Sequence, residues 1–499
     1  MTLDIYWVGL LLLLPSVGIL LGKDVLLRLF RHVTRRDSSN EGHEKLRGCA
    51  EKDDEARRFR RTFLQVYLVV MSAEWLQGPY LYTLLRDEKS LDERTVASLY
   101  VTGYVAAAAS ALVAGFMADR YGRRSAGLVF CVVHAVASIS VVSDRIEILY
   151  AGRALAGIAL TLLWTVFESW MVTEFNARGL GEGSVSLSSM FGIMTTSNCA
   201  AAIVGGVLGY CIVLVSGRRT SPFLVGVIPD VAAVALLLRT WNENFGEAEA
   251  DDKLGDVTKD SKRGTLGDIK VWILSYVTCC FEGTNFLVLF YWPGLLKQAH
   301  RRDHPDEAAE LPYGVIFAAF MAAMIVGAWS FNRIVRGRPL GSTDTPRGGV
   351  VAALRALLSP NVLLAVVMLI AGASLFVAVR VTHEICVYLA FLVFEVCNGV
   401  YLPSIAYQRG LIVKETNRAG LYGVIKLPLY IVVIVALCTT GEGGHHRPTV
   451  FISCFVVLVT AALGSVLGLR PRQQEGQPMG DKFEECINDK LRPAEDCEK

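Results

Sequence analysis

Charge is what this sequence has least of. Asp, Glu, Lys and Arg make up 19% of its 499 residues, against 53% hydrophobic, and the mean hydropathy is +0.42. A water-soluble chain of this length carries more charge and breaks its apolar runs with polar faces. The 49 basic and 47 acidic residues nearly cancel, so no basic surface for nucleic acid is implied. Catalytic signatures are missing as well: there is no GxSxG elbow, no HExxH and no glycine-rich phosphate loop. These absences argue against an enzyme and leave a polytopic helical membrane protein.

Lys and Arg are also absent ahead of the first apolar run. MTLDIYW carries only Asp4, whereas Lys23, Arg28, Arg31, Arg35 and Arg36 follow the run. A cleaved signal peptide has the opposite polarity and a small-residue cleavage site, which is not evident here. The run at about 5–27 is therefore expected to be retained, with its N-terminus outside and its basic end in the cytoplasm. The twelve cysteines form no metal-spaced CxxC cluster. Most sit in or beside apolar runs, where cysteine is a small packing residue. Cys49, Cys486 and Cys497 fall in segments assigned to the cytoplasm, where disulfides are not expected. No cofactor and no metal is expected.

What the chain does have is apolar runs of about membrane-spanning length, roughly twenty residues. After the first, six lie at about 62–85, 95–118, 125–143, 147–173, 187–215 and 222–239, and six more at about 268–296, 312–335, 359–380, 384–412, 419–440 and 449–469. The expected domains are an extra span with its cytoplasmic connector (1–61), a six-helix bundle (62–239), a charged linker (240–267), a second six-helix bundle (268–469) and a cytoplasmic tail (470–499). RRFRR, DRYGRR, NRIVRGR and RPR all fall on one side of this plan, which the positive-inside bias makes the cytoplasm. SGRRT at 216–220, placed outside, breaks the trend.

Two weak internal alignments point to a duplication. LYVTGYVAAAASALVAGFMADRYGR and PYGVIFAAFMAAMIVGAWSFNRIVRGR match at a constant offset, Asp119 falling on Asn332 and Gly122 on Val335. A Phe-Glu pair also lies deep in the fourth span of each half, in FESW and FEVC. Transporters built from two such halves hold their substrate near the bilayer midplane, between the repeats.

The densest charge cluster between two runs is GFMADRYGRR, with Gly115, Asp119, Arg120, Gly122 and Arg123 in a GxxxDRxGR pattern. Gly115 is expected to let two helices approach closely. Asp119 lies near a helix C-terminus, where a carboxylate needs an Arg or another helix end to meet it. The cluster suits a gate that locks one access state; a basic turn that only sets topology is the plainer alternative. Arg153 and Gly157 form an RxxxG pattern at the start of the fourth span. An intramembrane Arg faces a partner or a watery cavity, or snorkels when it is this close to the boundary. Glu74, Glu168, Glu282 and Glu395 lie deep in spans, and so does Lys426 in VIKLPLY. Each acid is either a titrating group or a structural partner.

GxxxDRxGR, with the six-plus-six plan, resembles the major facilitator superfamily, and the RxxxG pattern is spaced like its fourth-helix motif. The implied fold is all-α, two pseudo-symmetric six-helix bundles preceded here by one additional helix. In that superfamily the first and fourth helices of each half line the central cavity, so the four acids are expected to converge. The fifth span, with GGVLG at 205–209, lacks the proline of the exchanger signature, against a drug/proton antiporter. AEWLQGPYLY, FESW, RTWNENF and YLPS, in that order, resemble the eukaryotic molybdate-anion transporters, which also carry an extra N-terminal span. The resemblance implies molybdate import at the plasma membrane, with an internal membrane as the alternative; a monomer is expected, although the sequence does not fix the oligomeric state. Arg153 and Lys426 would then bind the dianion, although that family typically has Arg at the position of Lys426, whose ammonium lacks the bidentate fork. Coupling to protons would relieve repulsion between molybdate and the four acids. The alternatives are another anion such as sulfate, an organic solute, or a membrane sensor that transports nothing.

Overall fold

A computed structural model describes residues 5–18, 43–180, 187–245, 269–305, 310–335, 360–381, 383–412, 418–441 and 446–469, without the side chains of 43–53, 112, 188–189, 332–335, 360, 410–412 and 418–427. Thirteen long helices occupy these residues: α1 (Ile5–Gly18), α2 (His43–Gln77), α3 (Glu93–Tyr121), α4 (Arg123–Ser140), α5 (Ile146–Ala177), α6 (Leu187–Ser216), α7 (Ser221–Thr240), α8 (Ile269–Asp303), α9 (Tyr313–Val335), α10 (Pro360–Arg380), α11 (Glu384–Ile412), α12 (Arg418–Cys438) and α13 (His446–Gly468). The expected plan of one helix, six, then six is the plan observed. Eight of them (α5–α11 and α13) are each long and apolar enough to cross a membrane, and α3 makes a ninth as a bent pair. Between α2 and α3 the chain keeps turning through Gly78–Tyr80, Leu81–Thr83 and the wide turn Leu84–Glu88. Asp92 then caps α3 by accepting the Thr95 amide at 3.1 Å.

Small residues set the helix spacing. A Cβ on Gly157 of α5 would lie 2.1 Å from the Gly103 carbonyl oxygen of α3, so only glycine permits this approach. The corresponding helix pair of the second half, α9 and α11, meets the same way, with a Cβ on Gly399 falling 2.0 Å from the Met324 carbonyl oxygen. Between the halves α6 runs along α9, where Gly206 and Gly314 face each other's carbonyls, and α3 runs along α12. In lipid such close backbone packing replaces the hydrophobic drive of water. The expected close approach at Gly115 is not there: no described atom lies within 4 Å of where its Cβ would be. Gly103 with Gly157 performs that role further along the same helix.

At the end assigned to the outside, called the outer end below, ion pairs join the halves. Lys297 of α8 meets Asp87 at 2.6 Å, and Arg447 of α13 meets Glu93 of α3 at 2.9 Å and the Tyr82 hydroxyl at 3.1 Å. Arg219, from the SGRRT exception, lies 3.1 Å from Asp87 and 2.7 Å from Glu310, and donates to the Thr83 carbonyl. Of the two arginines in the exception, Arg219 is thus buried and neutralised by acids, whereas Arg218 is exposed. Helix α1 spans both halves here. Tyr6 donates to Glu384 and packs edge-on against Tyr388 of α11, and Trp7 packs against Tyr210 of α6.

Candidate functional site

Arg153 lies two turns into α5, beside the Gly103–Gly157 crossing, with its guanidinium carbon 5.6 Å from the Tyr100 ring centroid. Its partner is therefore an aromatic face, and its Nε is buried without a hydrogen-bond partner among the described residues. Tyr104, Phe286 and Phe290 continue this aromatic layer across the two halves: Tyr100 packs on Phe290 at 4.9 Å and Tyr104 on Phe286 at 5.2 Å. Phe286 in turn approaches Tyr430 of α12. A cation held by ring faces keeps its hydrogen-bonding edge for a ligand. Lys426 belongs to α12, two residues before Pro428; its side chain is outside the described residues.

The four acids are not gathered into one cluster. Consecutive helix positions point apart, and Glu74 and Trp75 illustrate it. Glu74 turns into its own bundle, 3.2 Å from Nε2 of His134 on α4, whose Nδ1 lies 2.7 Å from Asp230 on α7. Trp75 turns the other way, donating to Asn198 of α6 at 2.7 Å and packing against Phe317 of α9 in the opposite half. Glu282 is paired with Arg409 of α11 at 2.9 Å, and the same guanidinium reaches Thr278 at 3.2 Å. Glu395 is 3% exposed, accepts from Asn398 at 3.1 Å and lies near Cys199 of the other half. Glu168 is exposed on α5 and lies near Tyr67 of α2. Of the four, Glu395 is the one with a described neighbour across the halves, Cys199. Sequence reasoning missed His134, Asp230 and Arg409. The signal for the first two was available, since each is an isolated polar residue within an apolar run; Arg409 was hidden at the end of one.

GFMADRYGRR forms a compact latch. Arg123, nine-tenths buried, bonds Asp119 through Nη2 at 2.7 Å and through Nε at 3.1 Å, and also donates to Thr173 of α5. Gly122 has φ 98°, and a Cβ there would fall 2.4 Å from the Glu243 carboxyl carbon. Glu243, just beyond α7 in RTWNENF, caps α4 by accepting the amides of Arg124 and Ser125 at 2.8 and 3.2 Å. Trp241 stacks on Trp170 of FESW at 3.7 Å, and the Trp170 indole donates to the Asn242 carbonyl. DRYGRR, FESW and WNENF are thus one assembly binding α3, α4, α5 and α7. Arg120 is exposed beside the Tyr121 ring. In the expected echo, Asn332 to Val335 are described only as backbone, and 336–338 lie outside the described residues.

A family model described as sugar transporters with twelve transmembrane spans matches residues 43–343. A molybdate-anion transporter of Takifugu rubripes is 28% identical over 448 residues, covering 82% of this chain and 87% of its own. One from Xenopus tropicalis is 27% identical over 415 residues, covering 82% and 85%. Among solved structures, the nucleoside transporter NupG superposes with a TM-score of 0.59 at 12% identity, over 83% of this chain and all of its own. The two helical halves, the glycine crossings and the family match together place this multi-pass membrane chain in the twelve-span transporter family of the major facilitator superfamily.

Proposed function

We propose that this chain imports molybdate across the plasma membrane by alternating access, with protons as the coupling ion. The observation that carries the reading is Arg153, a cation within a span seated on the Tyr100 ring with an unsatisfied buried Nε, in a chain whose relatives over 82% of its length are named molybdate-anion transporters. A tetrahedral dianion needs such a cation, and two of the four acids that would repel it carry cationic or imidazole partners, Arg409 and His134. Glu395, near Cys199 of the other half, and Glu168, exposed on α5, are the candidate proton carriers. Lys426 supplies the second positive charge in this reading. The ion pairs that join the halves lie at the outer end, which supports taking the arrangement as closed to the outside. The DRYGRR latch would then re-form and release as the halves rock.

The family description favours a second reading, an uncharged sugar held by the same aromatic layer. Uptake of labelled molybdate into a transporter-deficient cell separates the two. Suppression by excess tungstate and sulfate but not by hexoses supports the oxyanion; suppression by hexoses alone refutes it. The latch makes its own prediction: Asp119→Ala frees Arg123 and lowers the maximal uptake rate about tenfold, a loss of ~1.4 kcal/mol, with half-saturation little changed. A large rise in half-saturation at an unchanged maximal rate would show that Asp119 serves binding instead.

A further inference from the structure

The outer end carries a cluster that the transport reading does not use. His300 of α8 and His304, just past its last residue, are four residues apart; the His304 amide still bonds the His300 carbonyl at 2.9 Å, so the helical geometry reaches His304 and both rings share a face. Glu384, the first residue of α11, brings a carboxylate to that face with its side chain 7% exposed. His300 Nδ1 lies 2.9 Å from both carboxylate oxygens, and His304 Nε2 lies 3.5 Å from one. The three donor atoms all lie within 4.8 Å of one another.

We propose that His300, His304 and Glu384 form a zinc-class divalent metal site on the outer face. Nitrogen and oxygen ligands about 2.0–2.1 Å from tetrahedral zinc stand roughly 3.3 Å apart, and the observed separations bracket that spacing. One cation would satisfy Glu384; two imidazoles converging on it supply a lone pair each, which is the donor set of borderline metals rather than of calcium or magnesium. Three protein ligands leave a fourth position for water. The surroundings hold the ligands in place. Tyr6 donates to Glu384, and Asp303 accepts the Glu384 amide at 2.7 Å while pairing with His383 at 3.0 Å. Such outer partners fix ligand orientation. His304 is half-exposed, giving the metal a path from outside.

The site lies where a bound ion would stiffen the closed outer end. It would tie α8 to α11, and through Tyr6 to α1, which also touches α6. Lys297, one turn before His300, makes the ion pair with Asp87 of the opposite half. External zinc is therefore expected to slow the opening of this end; that consequence rests on the transport reading, whereas binding does not.

The test is calorimetric titration of the purified full-length protein, stripped with chelator, with zinc chloride alone. A single saturable equivalent is expected, undiminished by excess magnesium. His304→Ala should abolish tight binding, His304→Cys should restore it through a thiolate, and Tyr6→Phe should weaken it about tenfold. His304 is chosen because it is half-exposed and its loss leaves the buried Glu384–Tyr6 contact intact. Absence of saturable binding by the wild-type protein, or binding by His304→Ala equal to wild type, overturns the site. Both outcomes are read without any transport assay, so a failed molybdate experiment leaves this one standing.

Discussion

Arg153→Ala is expected to raise the half-saturation for molybdate by about 100-fold at unchanged surface abundance. Two charge-assisted hydrogen bonds to an oxyanion are at stake, and losing them costs about 3 kcal/mol. Arg153→Lys keeps the charge but not the fork, so an intermediate rise of about tenfold is expected. The geometry behind this is specific. Gly157 brings α5 against α3, Tyr100 presents its face to the guanidinium, and the buried Nε has no partner among the described residues. Uptake kinetics normalised to surface protein decide the matter. An Ala variant with wild-type half-saturation and rate would mean that Arg153 merely packs on Tyr100 and binds nothing.

Gly157→Val should lower stability sharply. The first added carbon would sit 2.1 Å from the Gly103 carbonyl oxygen, so α3 and α5 must move apart along the crossing that seats Arg153. Ordinary overpacking costs ~1–3 kcal/mol, and a backbone atom cannot rotate away, so a loss at or above the upper end is expected. Thermal unfolding of detergent-purified protein would show a clear drop for Gly157→Val, with Gly399→Val behaving alike in the other half. Gly115→Ala is the control. It meets no described atom and should stay within about 0.5 kcal/mol of wild type. Equal damage at Gly115 and Gly157 would contradict the crossing described here.

The comparison of Gly115 with Gly157 shows where the sequence was readable. Run lengths were sufficient for the helices and their order, because the bilayer imposes a minimum apolar length on each span. Helix facing was not readable, because a helix that is apolar all round carries no stripe to say which side meets a neighbour. Glu74 was expected at the cavity because the resemblance puts its helix there, yet it meets His134, itself paired with Asp230, within its own bundle. For Glu282 the sequence left a titrating and a structural role open, since its partner Arg409 lies 127 residues later at the end of another run. Glu243 followed α7 in a stretch assigned to the linker, and nothing local revealed that it caps α4. His300, His304 and Glu384 were likewise scattered, and only the docking of α11 on α8 gathers them. DRYGRR, FESW and WNENF stood out as separate words, and the fold packs them against one another.

The most direct test of the proposed function uses the purified chain in proteoliposomes with an imposed proton gradient, acidic outside. The account predicts molybdate accumulation that collapses with a protonophore and is reduced in Glu168→Gln. No uptake above protein-free liposomes would contradict molybdate transport itself. Uptake indifferent both to the gradient and to Glu168→Gln would contradict the proton coupling.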